Sequence, residues 1–219
     1  HTNTAVGGAA LNANTTGQQN IALGNAALLN STTGSYNVAL GRSALLSNTT
    51  ANNNTALGYQ AGYNNTTGSS LVATGHTALR QNSTGSSNVA SGYAAMYSNT
   101  TGSSNTGIGH NALHLNTTAS NNTAVGFQAG YSNTTGAENQ AFGHTSLYLN
   151  TTGNYNNAFG RGAMYNNTTG SNNVAIGTQA LVLNTTASSN TAVGYQAGYS
   201  NTTGGSNVAV GYQALLDAT

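Results

Sequence analysis

The chain has no cysteine, no proline, no tryptophan and no lysine. Without cysteine there is no disulfide framework and no thiolate-ligated metal. Charge is nearly absent as well. Charged residues make up 2% of the 219 residues, against roughly 25% in typical soluble proteins. The charged side chains are Arg42, Arg80, Arg161, Glu138 and Asp217. A net charge of +1 gives no electrostatic grip on nucleic acid or anionic lipid. No apolar run approaches the ~18 residues of a membrane-spanning helix, so membrane insertion is not expected. The chain opens at His1 with neither Met nor a secretory leader, and reads as a processed chain or a piece of a longer one.

Polarity comes instead from Asn, Thr, Ser, Gln and Gly, the composition of a disordered tract. Periodicity argues against disorder. Glycine stands at 7, 24, 41, 58, 75, 92, 109, 126, 143, 160, 177, 194 and 211, a constant period of 17 with no insertion or deletion. The array is a single series over 1–219 of about thirteen units starting at Asn3, typified by NVAIGTQALVLNTTASS at 173–189. Numbering the unit from 1, column 1 is Asn except at Leu71, column 3 is Ala except at Gly107, and column 5 is always Gly. Column 4 is large and apolar except at Thr74 and Ser91; column 8 is Ala except at Ser146; columns 12–15 read Asn-Thr-Thr-Gly with small variations. Column 9 is Leu or Met, with Gly at 62, 130 and 198, so a cassette of four units recurs along the chain. That cassette reflects either duplication alone or a need for close approach at every fourth coil.

A 17-residue unit is too short for paired-helix repeats, which need roughly 33 residues. Asn-Val-Ala-Ile-Gly alternates like a strand, with columns 2 and 4 on one face and column 3 on the other. Columns 8–11 read as a second short strand, and the Gly and Asn-Thr-Thr-Gly positions as turns. The expected fold is therefore all-β, a parallel β-roll or β-solenoid. Like columns would stack ~4.8 Å apart, and thirteen coils would rise about 60 Å. Asn ladders suit such stacking, since an amide donates to one neighbour and accepts from the other. A charged column would place like charges on successive rungs, which accounts for the missing charge. The large apolar columns, 4 and 9 with part of 2 and 10, are expected to carry the burial. The Ala columns 3 and 8 either admit the backbones of neighbouring chains, which predicts a homo-oligomer, or fit the narrow inside of one roll.

Catalytic chemistry is not expected. Glu138 and Asp217 are separated by nearly five units, too far to work as an acid/base pair. No carboxylate recurs to orient a Ser-His pair. His76, His110 and His144 share column 6 in alternate coils, so only a three-fold axis could gather copies of one around a metal; no metal or other cofactor is assigned. The motif Asn-x-Thr, an N-glycan acceptor on secreted proteins, recurs in every complete unit: at Asn14, Asn30, Asn48, Asn65, Asn82, Asn99, Asn116, Asn133, Asn150, Asn167, Asn184 and Asn201, with extra matches at Asn53, Asn64, Asn121 and Asn166. The same residues are good turn formers. Tyr recurs in column 6 (Tyr59, Tyr93, Tyr195, Tyr212) and column 10 (Tyr63, Tyr97, Tyr131, Tyr148, Tyr165, Tyr199), where it could bind sugars or cover the neighbouring Leu column.

Asn173-Val174-Ala175-Ile176-Gly177, followed by Ala180, resembles the head repeat of the YadA-type trimeric autotransporter adhesins. The wider Asn-Thr-Ala-Val-Gly-Tyr-Gln-Ala…Asn-Thr-Thr-Gly array is similar to repeats of phage-type tail fibres. The resemblance covers nearly the whole chain. It implies a left-handed parallel β-roll packed as a homotrimer, located extracellularly, on a cell surface or on a virion fibre. This coil differs by its longer Asn-Thr-Thr-Gly loop, and no neck, stalk, membrane barrel or chaperone domain is present in the 219 residues. The expected function is a structural module, the shaft or head of a fibre or adhesin. It would pair with copies of itself laterally and end to end, and attach to a host surface or glycan. The last unit stops in mid-coil at Leu216-Asp217-Ala218-Thr219 without a cap, so more chain or another subunit is expected to stack there. The alternative reading is an ice-binding solenoid presenting Thr ladders. Against it, adjacent Thr residues ahead of a turn Gly should point opposite ways.

Overall fold

The structure is a computed structural model that describes residues 2–217. His1, Ala218 and Thr219, on which the expectations about the two ends partly rest, lie outside the described residues. The chain divides into two compact units, His1–Ile108 and Gly109–Thr219. The first holds seven strands: β1 (Thr4–Val6), β2 (Ile21–Leu23), β3 (Val38–Leu40), β4 (Thr55–Leu57), β5 (Val72–Thr74), β6 (Val89–Ser91) and β7 (Thr106–Ile108). The second holds six: β8 (Thr123–Val125), β9 (Gln140–Phe142), β10 (Asn157–Phe159), β11 (Val174–Ile176), β12 (Thr191–Val193) and β13 (Val208–Val210). Within each unit every strand pairs in parallel with the next in sequence, one repeat further on. Thus Ala39 faces Ala56 between β3 and β4, and Ala175 faces Ala192 between β11 and β12. No helix occurs among the described residues. The fold is all-β, a parallel β-solenoid of 17-residue coils.

Each coil contains one strand, not two. Columns 8–11 form a turn, because columns 7 and 9 both adopt left-handed backbone: Gln60 at φ 53°, Leu45 at 49° and Leu79 at 50°. Such a conformation costs an L-residue about 1–2 kcal/mol, and its effect is visible in the packing. Ala44 and Leu45 are adjacent yet both buried. In an extended strand one of them would point outward. The turn still bonds coil to coil, with Leu45 N–H donating to the Ala61 carbonyl at 2.9 Å and Ser47 N–H to that of Tyr63 at 3.0 Å.

The interior is correspondingly narrow. It takes the Ala of columns 3 and 8, the Leu or Met of column 9, and the Asn of columns 1 and 12. Ala therefore lines the inside of one roll. Columns 2 and 4, expected to carry burial, instead face outward, with Leu57 49% and Ile176 44% exposed. Glycine at column 9 does admit a neighbour. A Cβ built on Gly62 would lie 2.8 Å from Leu45 Cδ2, and one on Gly198 2.9 Å from Leu181 Cδ2. The leucine of the preceding coil occupies the space a side chain would need.

Two ladders of buried Asn amides hold the coils in register. In column 1, Oδ1 accepts the backbone N–H of the next Asn, as from Asn54 to Asn37 at 3.0 Å. The same residue's Nδ2 reaches across its own coil to the column-15 carbonyl, as from Asn54 to Gly68 at 2.9 Å. In column 12, Nδ2 donates to the carbonyl of column 15 and, where an Asn precedes it in the column, to that residue's Oδ1. Asn65 does so to Asn48 at 3.1 Å and to Gly68 at 2.8 Å. Thr in column 13 adds a hydroxyl donor to the next coil, Thr49 to Thr66 O at 3.1 Å.

The second ladder has a natural break. Ser31 stands where column 12 of every other complete unit has Asn. Its buried Oγ, and Asn14 Oδ1 in the coil before it, have no hydrogen-bond partner among the described residues. Ser31→Asn should restore a donor for Asn14 and an acceptor for Asn48. Each satisfied buried bond contributes about 1 kcal/mol, so stability should rise by about 1–2 kcal/mol. Thermal melting of the variant beside the parent checks this.

Candidate functional site

The outer surface of a coil presents three features in order along the chain: the sheet face of columns 2 and 4, a ridge at column 6, and a second ridge at column 10. Strand alternation with Ala turned inward leaves the larger aliphatic side chains on the outer sheet face. In the first unit these include Val6, Ile21, Leu57, Val72 and Ile108; in the second, Phe159, Ile176, Val208 and Val210. Phe142 and Phe159 stack at 4.8 Å between centroids, 5° from parallel. Apolar residues so aligned, with no charge among columns 2 and 4, are of the kind that mark contact surfaces.

The ridges are aromatic because stacking like on like is what one column of a solenoid does. In column 6 of the first unit, His76 lies between Tyr59 (5.0 Å) and Tyr93 (5.2 Å). In the second unit, Phe127 lies between His110 (5.3 Å) and His144 (5.0 Å). The histidines of column 6 are thus interleaved with rings. Among the described residues no group of three or more His, Asp or Glu side chains is placed to hold a metal ion. In column 10, His114, Tyr131, Tyr148 and Tyr165 form a continuous stack at 5.0–5.2 Å. Burial raises the Tyr148 hydroxyl above its ordinary pKa, and the flanking Tyr165 and Tyr131 add to the rise. Arg80 takes the column-10 place in its own coil. Its guanidinium lies over the rings of Tyr63 (5.2 Å) and Tyr97 (5.7 Å) and donates to Gln60 Oε1 and the Tyr97 hydroxyl.

Between the ridges runs column 7, where Gln side chains link coil to coil. Gln196 Nε2 donates to Gln179 Oε1, and Gln213 Nε2 to Gln196 Oε1, each at 3.0 Å. Gly162 interrupts this column. An open cavity of about 250 Å³ results, lined by Thr145, Arg161, Gly162, Tyr165, Gln179 and Val182. The Tyr column is legible from the sequence; this gap is not, although Gly162 is the only glycine in its column.

The Asn-x-Thr positions fall mostly inside. Asn48, Asn65, Asn82, Asn99, Asn116, Asn133, Asn150, Asn167, Asn184 and Asn201 are 0–4% exposed, and their Nδ2 atoms are ladder donors. A glycan there would have to displace the ladder. Asn14 is half-buried and Asn30 exposed. Glu138 and Asp217 are both exposed. No helix of the described residues is long and apolar enough to cross a membrane. The chain matches no protein-family model, no curated protein and no solved structure.

Proposed function

We propose that the chain is a structural module of an extracellular fibre or adhesin, its shaft or head, which assembles by packing the outer sheet faces of several copies around a common axis. A homotrimer of left-handed rolls is the arrangement that the resemblance of its Asn-Val-Ala-Ile-Gly repeat implies. The observation that carries the reading is the outward set of Val, Ile, Leu and Phe in columns 2 and 4. Water contact with this surface is unfavourable by roughly 25 cal/mol per Å² of apolar area, and a second copy with the same columns offers a self-complementary cover. The buried Asn ladders and uncharged columns support a mechanical role, since each rung is bonded to the next by side chain as well as backbone.

Mass in solution tests the proposal. The parent chain should sediment as a multiple of the chain mass, three copies by this reading. Ile176→Lys, on the exposed face of β11, should give a single chain with unchanged β-sheet circular dichroism. A parent that sediments as one chain would end the proposal.

One observation favours the ice-binding alternative. Thr in column 14 is exposed coil after coil, as at Thr67, Thr84, Thr152 and Thr169. Its neighbour in column 13 is not available in the same way, because its hydroxyl donates to the next coil. A single free Thr column is a narrow template, and a thermal-hysteresis measurement separates the two readings.

A further inference from the structure

The gap at Gly162 has the composition of a sugar subsite. Its walls combine a tyrosine ring, a guanidinium, a carboxamide and a hydroxyl around a floor without a side chain. Tyr165 ends the stack of column 10, since the next residue in that column is Val182. Arg161 is exposed, and among the described residues its guanidinium has no hydrogen-bond or ion-pair partner. That sets it apart from Arg80, which is held by Gln60, Tyr97 and two rings. The volume of about 250 Å³ lies below the roughly 300–1,000 Å³ of pockets for drug-sized molecules, so one ring fits.

We infer that the cavity over Gly162 binds a single pyranose ring carrying a carboxylate, a hexuronic acid residue of an acidic glycan. The ring sits against Tyr165, which offers a flat apolar wall beside a polar hydroxyl. The Arg161 guanidinium receives the carboxylate through paired N–H donors. Gln179 and the Thr145 hydroxyl exchange hydrogen bonds with ring hydroxyls. A neutral hexose fills the same space but leaves Arg161 unpaired. The inference deepens the reading of the chain as an attachment module by naming the ligand class, and it does not depend on how many copies assemble.

The probes are methyl glucuronide and methyl glucoside, titrated into the full chain by calorimetry and by ligand-detected NMR. Methyl glucuronide should bind saturably in the millimolar range, about tenfold more tightly than methyl glucoside, the factor expected for a charge-assisted contact. Arg161→Gln, an exposed change, should remove that tenfold preference. Gly162→Gln should abolish binding of both sugars. The variant suits its site, because Gln occupies this column at the same backbone geometry elsewhere: Gln60 has φ 53° and Gln179 58°, and Gly162 itself 64°. A built Cβ at Gly162 meets nothing closer than Gln179 Cγ at 3.7 Å. Three results would each overturn the inference: no glucuronide binding by the parent chain, equal affinity for the two sugars, or undiminished binding by a folded Gly162→Gln. Should Gly162→Gln not fold, the Arg161→Gln comparison decides alone. Sedimentation of the same samples reports assembly separately, so loss of sugar binding with intact assembly counts against the sugar site only.

Discussion

Asn167→Asp is expected to open the coils around residue 167 at neutral pH and to leave them closed in acid. Asn167 is fully buried in the column-12 ladder of the second unit. Its Nδ2 donates to Asn150 Oδ1 at 2.7 Å and to the Gly170 carbonyl at 2.9 Å. Its Oδ1 accepts from Asn184 Nδ2 at 2.8 Å. Aspartate has the same shape but replaces the donor with an oxygen. At neutral pH that puts a carboxylate against two acceptors with no cation nearby, the case of an uncompensated buried charge, which costs about 3–5 kcal/mol. Burial and the two facing oxygens raise the folded-state pKa of the new carboxyl well above the ~3.9 of an unfolded aspartate. A raised folded pKa means that the folded state holds the proton more tightly. The stability is therefore fully present below pH ~3.9 and is lost as pH rises through the folded value. The protonated acid can still donate once and accept once, so the residual deficit in acid should be about one hydrogen bond, about 1 kcal/mol. Melting temperatures of parent and variant from about pH 3 to 7, a range that brackets the unfolded pKa, make the test. A difference that stays constant with pH would mean that the Asn columns are not the dry, donor-dependent ladders described above.

The same ladders show how much of the fold is legible in the sequence. A solenoid writes its constraints as columns, so a residue demanded by every rung recurs at a fixed spacing. That is why the 17-residue period, the parallel stacking, the invariant Gly and the Asn ladders can all be read from the amino acids alone. The second strand is misread because left-handed backbone leaves no compositional trace. Leu28, Leu45 and Leu113 occupy it with φ of 51°, 49° and 50°, although leucine disfavours that conformation. They are held there by inter-coil bonds and by burial of two adjacent residues. Sidedness escapes for a different reason. Alternation shows that Val174 and Ile176 lie opposite Ala175, but not which side is inside. Size points to Val and Ile, whereas the roll is narrow enough that Ala, Leu and amide side chains already fill it. As for the candidate site, the Tyr and His columns announce a ring-lined surface. The cavity depends on one missing side chain at Gly162, whose meaning emerges only once columns 6, 7 and 10 are known to adjoin.

Gly58→Ala should be more damaging than any surface change of its size, through backbone alone. Gly58 has φ +139°, and a Cβ there would lie 2.5 Å from the Gly75 oxygen and 2.7 Å from the Gly75 carbonyl carbon. The obstacle is the backbone of the next coil, which cannot rotate away as a side chain would. Relief requires either a different φ at residue 58 or a wider spacing between coils. The second option breaks the bonds that Gly75 N–H makes to Leu57 O at 2.8 Å and Thr77 N–H to Tyr59 O at 2.9 Å. Strain of this kind costs about 1–3 kcal/mol for the conformation. The lost coil-to-coil bonds add about 1 kcal/mol each, so a penalty of about 3–5 kcal/mol is expected. Because each coil of a solenoid contacts only its neighbours, the damage should be local. Amide hydrogen exchange should accelerate over the coils around 58 and 75 while coils further along the first unit keep their protection. Gly162→Ala is the matched control. Its nearest atom would be 3.7 Å away at φ +64°. Ala26 already holds φ 58° in the same column, so the control should lose only the cost of left-handed alanine, about 1–2 kcal/mol, well short of the Gly58→Ala penalty. Equal effects of the two substitutions would refute the claim that column 5 is glycine because the backbone of the next coil fills the place of a side chain.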